Sequence, residues 1–153
     1  KLAVAESCTG GMLGSLLTNT PGSSGCFLGG VLAYSNAVKI SALGVSEDTL
    51  QRFGAVSHET AQEMAFGVRH ELSADIGVSI TGIAGPDGGS EEKPVGLFYV
   101  GIAQGSSLQS FEFFFNSSRF RVRSLAAYTA FDVVRRTLLG LPFQARSVST
   151  REI

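Results

Sequence analysis

Four groups of residues have types and spacings suited to chemistry. Ser7-Cys8-Thr9-Gly10-Gly11 places a hydroxyl, a thiol and two glycines directly after a short apolar run. In an open α/β sheet, ligands bind beyond the carboxyl ends of strands, and the first N–H groups of a following helix attract anions. The segment matches neither the P-loop nor the dinucleotide fingerprint, and alone it reads equally as a helix cap with a glycine turn. Tyr34-Ser35-Asn36 ends a second apolar run, and Lys39 follows as the sole charge between Glu6 and Glu47. Such a lysine is a candidate base if desolvation brings its pKa from about 10.4 to about 7–8. Its ordinary alternative is a solvated surface lysine. Thr81 ends a third apolar run and opens a Gly- and Pro-rich stretch reaching Pro94. Connections of that length are commonly functional or mobile. Arg119 and Arg123 share one face near the start of an expected helix. The helix dipole disfavours cations there, so the pair either seeks an anion such as phosphate or is ordinary surface arginine.

Other chemistries fit less well. His58 and His70 read as surface residues of one helix with no third ligand nearby, so no metal site is expected. Cys8 and Cys26 read as reduced thiols of a cytoplasmic protein, and no disulfide framework is possible. Phe111, Phe113, Phe114 and Phe115 read as strand core. A net charge of −1 and a pI near 6.1 give no electrostatic reason to bind nucleic acid or an acidic membrane. No apolar run reaches the roughly 18 residues of a membrane span.

The elements that must position these residues follow from periodicity and turn chemistry. Leu2–Ala5 reads as a buried strand, and Met12, Leu13, Leu16 and Leu17 mark a helix after the glycine turn. Cys26–Ala33 reads as a strand, and 36–43 as a helix stopped by Gly44. A Ser46-capped helix ends at Gly54, and a Ser57-capped helix buries Ala61, Met64, Ala65, Val68 and Leu72. Ile76–Thr81 is a strand. Val95–Ala103 and Leu108–Phe115 form a hairpin. The last helix covers 119–139, with Val122, Leu125, Ala126, Val133 and Thr137 inward. Residues 1–145 make one domain of α/β class with a mixed sheet covered on both faces, and Ser147–Ile153 is expected to fray.

With the first segment taken as Ala5-Glu6-Ser7-Cys8-Thr9-Gly10-Gly11, and with Gly54-Ala55-Val56-Ser57 and Gly82-Ile83-Ala84-Gly85-Pro86-Asp87-Gly88-Gly89 added, these segments resemble the CinA C-terminal domain, in the family's order and spacing, from roughly Leu2 to Leu139. Members often carry further chain ahead of this domain, and the sequence here starts inside a strand, so an upstream segment is expected. Where the family tends to read Phe-x-Gly-Asp-Arg, this chain has Phe115-Asn116-Ser117-Ser118-Arg119. The resemblance implies a three-layer α/β/α sandwich and, from the stand-alone members, hydrolysis of nicotinamide mononucleotide to nicotinate mononucleotide and ammonia. It also implies a role in pyridine-nucleotide salvage. The expected partner is a small nucleotide substrate, with no cofactor, no metal, no nucleic acid and no membrane, in a homodimer.

For that reaction Ser7 is the expected nucleophile and Lys39 its base, since neither histidine lies in a motif. Cys8 is the rival nucleophile. Tyr34 is expected to relay a proton or orient the amide, and Thr81 to hold the base or the substrate. The Ser7–Gly11 turn offers N–H groups to the oxyanion or, through Thr9, Gly10 and Gly11, to the phosphate. Asn36, Arg119 and Arg123 complete the expected substrate contacts. The alternative is a non-catalytic pyridine-nucleotide-binding regulatory domain; near-neutral charge argues against a DNA-associated protein.

Overall fold

A computed structural model describes residues 1–152. Six strands form one mixed sheet: β1 Leu2–Glu6, β2 Phe27–Leu32, β3 Ile76–Gly82, β4 Leu97–Gln104, β5 Ser107–Phe114 and β6 Ser147–Glu152. Their order is β2-β1-β3-β4-β5-β6. The first three run parallel and the others antiparallel. The helices are α1 Met12–Thr18, α2 Asn36–Leu43, α3 Glu47–Phe53, α4 His58–Glu71 and α5 Arg119–Leu139. α1 and α5 pack together on one face, while α4 covers β1, β3, β4 and β5 on the other with α2 and α3 against it. This is the expected α/β/α sandwich with a mixed sheet.

Alternation along β3 builds both faces at once. Ile76, Val78 and Ile80 join Phe98, Val100, Ile102, Phe111 and Phe113 under α5. On the opposite face, Gly77 and Gly101 let α4 lie almost on the backbone. A Cβ at Gly77 would stand 2.1 Å from the Ala65 carbonyl oxygen, and one at Gly101 would stand 2.2 Å from that of Ala61. Ser79 Oγ donates to the Ala61 carbonyl at 2.5 Å, tying helix to sheet. This seat fixes the start of α4, and therefore the segment Ala55–Ser57 that leads into it.

The connections set the position of the crevice. From β1 the chain passes through α1 to β2 on one side, and from β2 it passes through α2, α3 and α4 to β3 on the other side. β1 is thus the point where the winding reverses. In such sheets the crevice opens there, outside the carboxyl ends.

Several details differ from expectation. Residues 147–152 are an edge strand, not a frayed tail: β6 pairs with β5 along its length. Side chains of α4 hold it, because Gln62 Nε2 donates to Ser149 and His58 meets Ser147. The strand's polar sequence carries no alternation to reveal this. Ile153, included in that expectation, lies outside the described residues. His58 is half-buried, not a surface residue, whereas His70 is exposed. On α5 the buried face is Val122, Ala126, Ala127, Ala130, Val133 and Val134, while Leu125 is 39% exposed and Thr137 only half-buried. Small alanines bring the helix close to the sheet, and the larger Leu125 is left at the rim. Phe114 likewise faces outward at the end of β5. Among the described residues no helix is long and apolar enough to cross a membrane.

Candidate active site

A cleft of about 270 Å³ opens at the carboxyl ends of β1, β2 and β3. Ser7 and Cys8 enter it from β1, and Tyr34, Asn36 and Lys39 from the β2–α2 connection. Ala55 and Val56 wall it ahead of α4. Thr81, the segment 82–85, Asp87 and Gly88 follow from β3, and Arg119 enters from the start of α5. The sequence placed Ser7, Tyr34, Lys39 and Thr81 at separate strand ends, and the fold brings them into one cavity with Arg119 from the start of a helix.

Lys39 is the buried centre of the cleft, with 1% of its surface exposed. Ser35 caps α2 by accepting from the Val38 N–H at 3.3 Å. One helical turn later Lys39 is carried back over the end of β2. Its Nζ lies 2.8 Å from the Ala33 carbonyl oxygen, 3.4 Å from that of Tyr34 and 3.1 Å from Ser7 Oγ. Burial pulls its pKa below the ordinary lysine value, and the nearby Cys8 opposes this. A neutral amine has two N–H donors and one lone pair. If the two carbonyls take the donors, the lone pair remains for the Ser7 hydroxyl proton. Ser7 is itself 8% exposed and fixed by its N–H, which donates to the Ile80 carbonyl at 3.0 Å.

Glu6 overturns the expected role of the glycine turn. Its carboxylate is buried and accepts from the N–H groups of Gly11, Leu13 and Gly14 at 3.0, 3.1 and 2.8 Å. The helix start that was expected to receive an oxyanion or a phosphate is filled by the chain's own carboxylate. Gly10 N–H is also occupied, by the Ser7 carbonyl. Among the described residues, the N–H groups of Cys8 and Thr9 are the ones in this turn left without a partner. Gly10 and Gly11 instead supply backbone shape, at φ of 61° and 98°, where side chains are strained.

The two arginines divide. Arg119 lines the cleft and donates to the Gly85 carbonyl and, at 3.2 Å, to Tyr34 Oη. Arg123, one turn further along α5, does not line it. Its Nε donates to the Cys8 carbonyl at 2.9 Å and its Nη2 to the Thr9 carbonyl at 2.8 Å. Thr9 is wholly buried, and its hydroxyl has no partner among the described residues. Thr81 Oγ1 donates to the Ala55 carbonyl at 2.6 Å, so it fixes the cleft wall and not Lys39. Burial pushes the Cys8 thiol up to about 12. A thiol so held is protonated near neutrality and is a poor nucleophile. No cluster of metal-ligating side chains occurs among the described residues.

Glu6 and Lys93 lie inside segments singled out in the sequence, but their types and spacing assigned neither of them a role. Lys93 Nζ donates to the Phe53 carbonyl, tying the 82–96 connection to the end of α3. The available signal for Glu6 was a lone carboxylate at a strand end, just ahead of a glycine turn and a helix.

The profile of the CinA C-terminal domain matches residues 1–138. A CinA-like protein of Cyanothece sp. is 56% identical over 142 residues, covering 92% of this chain and 34% of the relative. The chain therefore spans about a third of the length of such curated relatives. Among solved structures, the competence/damage inducible protein CihA of Agrobacterium tumefaciens superposes with a TM-score of 0.82 at 38% identity, covering 88% of this chain and 82% of its own. The competence damage-inducible protein A of Klebsiella pneumoniae superposes with a TM-score of 0.87 at 29% identity, covering 91% and 86%.

Proposed function

The chain belongs to the CinA C-terminal domain family, and we propose that this domain hydrolyses the carboxamide of nicotinamide mononucleotide to nicotinate mononucleotide and ammonia. The observation that carries the reading is the contact of a buried lysine Nζ with a serine Oγ at 3.1 Å inside a cleft. Amide hydrolysis needs a nucleophile, a group that takes its proton and returns it to the leaving amine, and donors for the oxyanion.

Lys39, as the neutral amine, takes the Ser7 proton while Oγ attacks the amide carbon. The tetrahedral oxyanion then collapses. The C–N bond breaks, and the Lys39 ammonium returns the proton to the departing nitrogen, which leaves as ammonia. An ester of Ser7 remains. Water, deprotonated by Lys39, cleaves it to the carboxylate and restores Ser7. One water is consumed for each ammonia released.

The partnerless N–H group of Cys8, which lines the cleft next to Ser7, is the oxyanion donor closest in sequence to the nucleophile. Arg119, on the cleft wall, is the cation available to a phosphate, with Asn36 and Tyr34 beside it. Burial at Lys39 acts in the direction that base catalysis requires. Ammonia release from nicotinamide mononucleotide by the chain, assayed beside Ser7→Ala, tests the proposal. Turnover lost in the variant supports it. Ligand-induced thermal stabilisation of the parent without ammonia release instead identifies a binding module.

A further inference from the structure

The turn that carries Ser7 is held by two opposite charges, neither of which reaches the cleft lining. Glu6 grips its far end through the Gly11, Leu13 and Gly14 N–H groups. Arg123, from a helix more than a hundred residues away in sequence, grips its middle through the Cys8 and Thr9 carbonyls. The strand ladder fixes its start, at Ser7 N–H. We propose that Glu6 and Arg123 form a clamp that positions Ser7 Oγ against Lys39 Nζ; this rests on the amide-hydrolysis reading above.

Peptide geometry supplies the reason. In a trans peptide the C=O and the following N–H point in opposite directions. By drawing the Cys8 carbonyl to its guanidinium, Arg123 turns the Thr9 N–H away from itself, and that N–H has no partner among the described residues. By drawing the Thr9 carbonyl as well, it turns the Gly10 N–H back toward the Ser7 carbonyl, which that N–H meets at 3.1 Å. The middle and the far end of the turn are thus set by charge-assisted hydrogen bonds, which are stronger than neutral ones.

Steric contact at Gly10 agrees. A Cβ there would stand 3.3 Å from Arg123 Nη2, so the guanidinium is seated directly against the turn. The half-buried Arg123 is therefore a positioning residue and not the phosphate ligand that its spacing with Arg119 suggested. The same holds for Glu6. Because its carboxylate occupies the start of α1, that helix offers the substrate no anion seat.

The test uses two readouts of Ser7, one of them independent of substrate. The first is the kcat and KM of ammonia release. The second is the rate of Ser7 sulfonylation by phenylmethylsulfonyl fluoride, located by peptide mass mapping. Misplacing a nucleophile by about 1 Å costs on the order of a hundredfold. Arg123→Ala should therefore lower kcat and the sulfonylation rate by about tenfold to a hundredfold, with KM changed by less than about threefold. Millimolar methylguanidinium should restore part of both losses at unchanged melting temperature, which a merely structural arginine would not show. Glu6→Gln, which keeps one acceptor oxygen, should move kcat and labelling in the same direction.

A raised KM with unchanged kcat in Arg123→Ala would overturn the clamp and return Arg123 to the phosphate. Unchanged labelling would also overturn it. Should Arg123→Ala fail to fold, Arg123→Lys keeps the cation but not the two-carbonyl fork, and the same kcat-against-KM split decides. If the parent chain releases no ammonia yet Ser7 labels in an Arg123-dependent way, the substrate reading fails and the clamp stands.

Discussion

Two places in the molecule set a hydroxyl against a base, and they differ in what is left over. In the cleft, Lys39 Nζ meets Ser7 Oγ at 3.1 Å. At the far edge of the sheet, His58 lies between Ser110 Oγ at Nδ1 and Ser147 Oγ at Nε2, both at 2.7 Å. The second pairing is the tighter one and uses the more familiar base. Yet Ser147 Oγ donates to Glu112 at 3.1 Å, as does Tyr99 Oη at 3.0 Å. Ser147 therefore accepts from Nε2–H, and Nδ1 is left to accept from Ser110. Both ring nitrogens are committed, Ser110 is wholly buried, and neither serine lines the cleft. Lys39 differs because its two carbonyl partners leave one position directed at a hydroxyl that does line a cleft. Proximity alone does not make a catalytic pair: the base needs a free lone pair and the hydroxyl needs room for substrate.

The largest effect that would sharpen this contrast is on turnover. Ser7→Ala and Lys39→Met should each lower kcat by about a thousandfold or more, while His58→Ala and Ser147→Ala leave it within about twofold, in a steady-state ammonia assay. Comparable losses from the two sets would erase the distinction. The next effect is on stability. His58→Ala leaves the buried Ser110 hydroxyl without its partner and should cost about 1–3 kcal/mol, read by urea unfolding. It should also loosen β6, which hydrogen exchange at 147–152 would report. Arg119→Ala should raise KM about tenfold, the equivalent of roughly 1.4 kcal/mol, with kcat little changed. A KM equal to the parent's would remove Arg119 from the substrate.

The smallest effects are in pH dependence. Burial depresses both bases, Lys39 below 10.5 and His58 below 6.5. In each case the unfolded chain binds more protons between the depressed and the ordinary value, so stability rises with pH across that window. It is lost as pH falls through the folded-state value. The melting temperature of the parent minus that of Lys39→Met should therefore climb toward pH 10.5. His58→Ala should flatten the acid side below pH 6.5 and leave the alkaline climb intact. Turnover should rise with pH as Lys39 loses its proton, and then level off.

Local chemistry made much of this legible in the sequence. The bounds of α2 and α5 fall where Ser35, Gly44 and Gly140 stand, because caps and left-handed glycines are local signals. Ser7, Lys39 and Thr81 were found because each ends or follows an apolar run that reads as a strand. What escaped were contacts between distant segments. The Arg123 contacts span 114 and 115 residues, and that of His58 with Ser147 spans 89. Helical spacing put Arg119 and Arg123 on one face, but one turn of rise separates a side chain at the cleft from one behind the turn. Glu6 was equally hidden. A strand-end carboxylate has no periodic signature, and only the folded turn presents three N–H groups to it.

The proposed hydrolysis depends on Ser7 as the nucleophile of this cleft and Lys39 as its base. Acid quenching during turnover of nicotinamide mononucleotide, followed by peptide mass mapping, tests it most directly. The prediction is an ester of the substrate acyl group on Ser7, present in the parent and absent in Ser7→Ala, with its formation rate strongly reduced in Lys39→Met. Ammonia release that persists in Ser7→Ala, or an acyl adduct found on Cys8 instead, would contradict it.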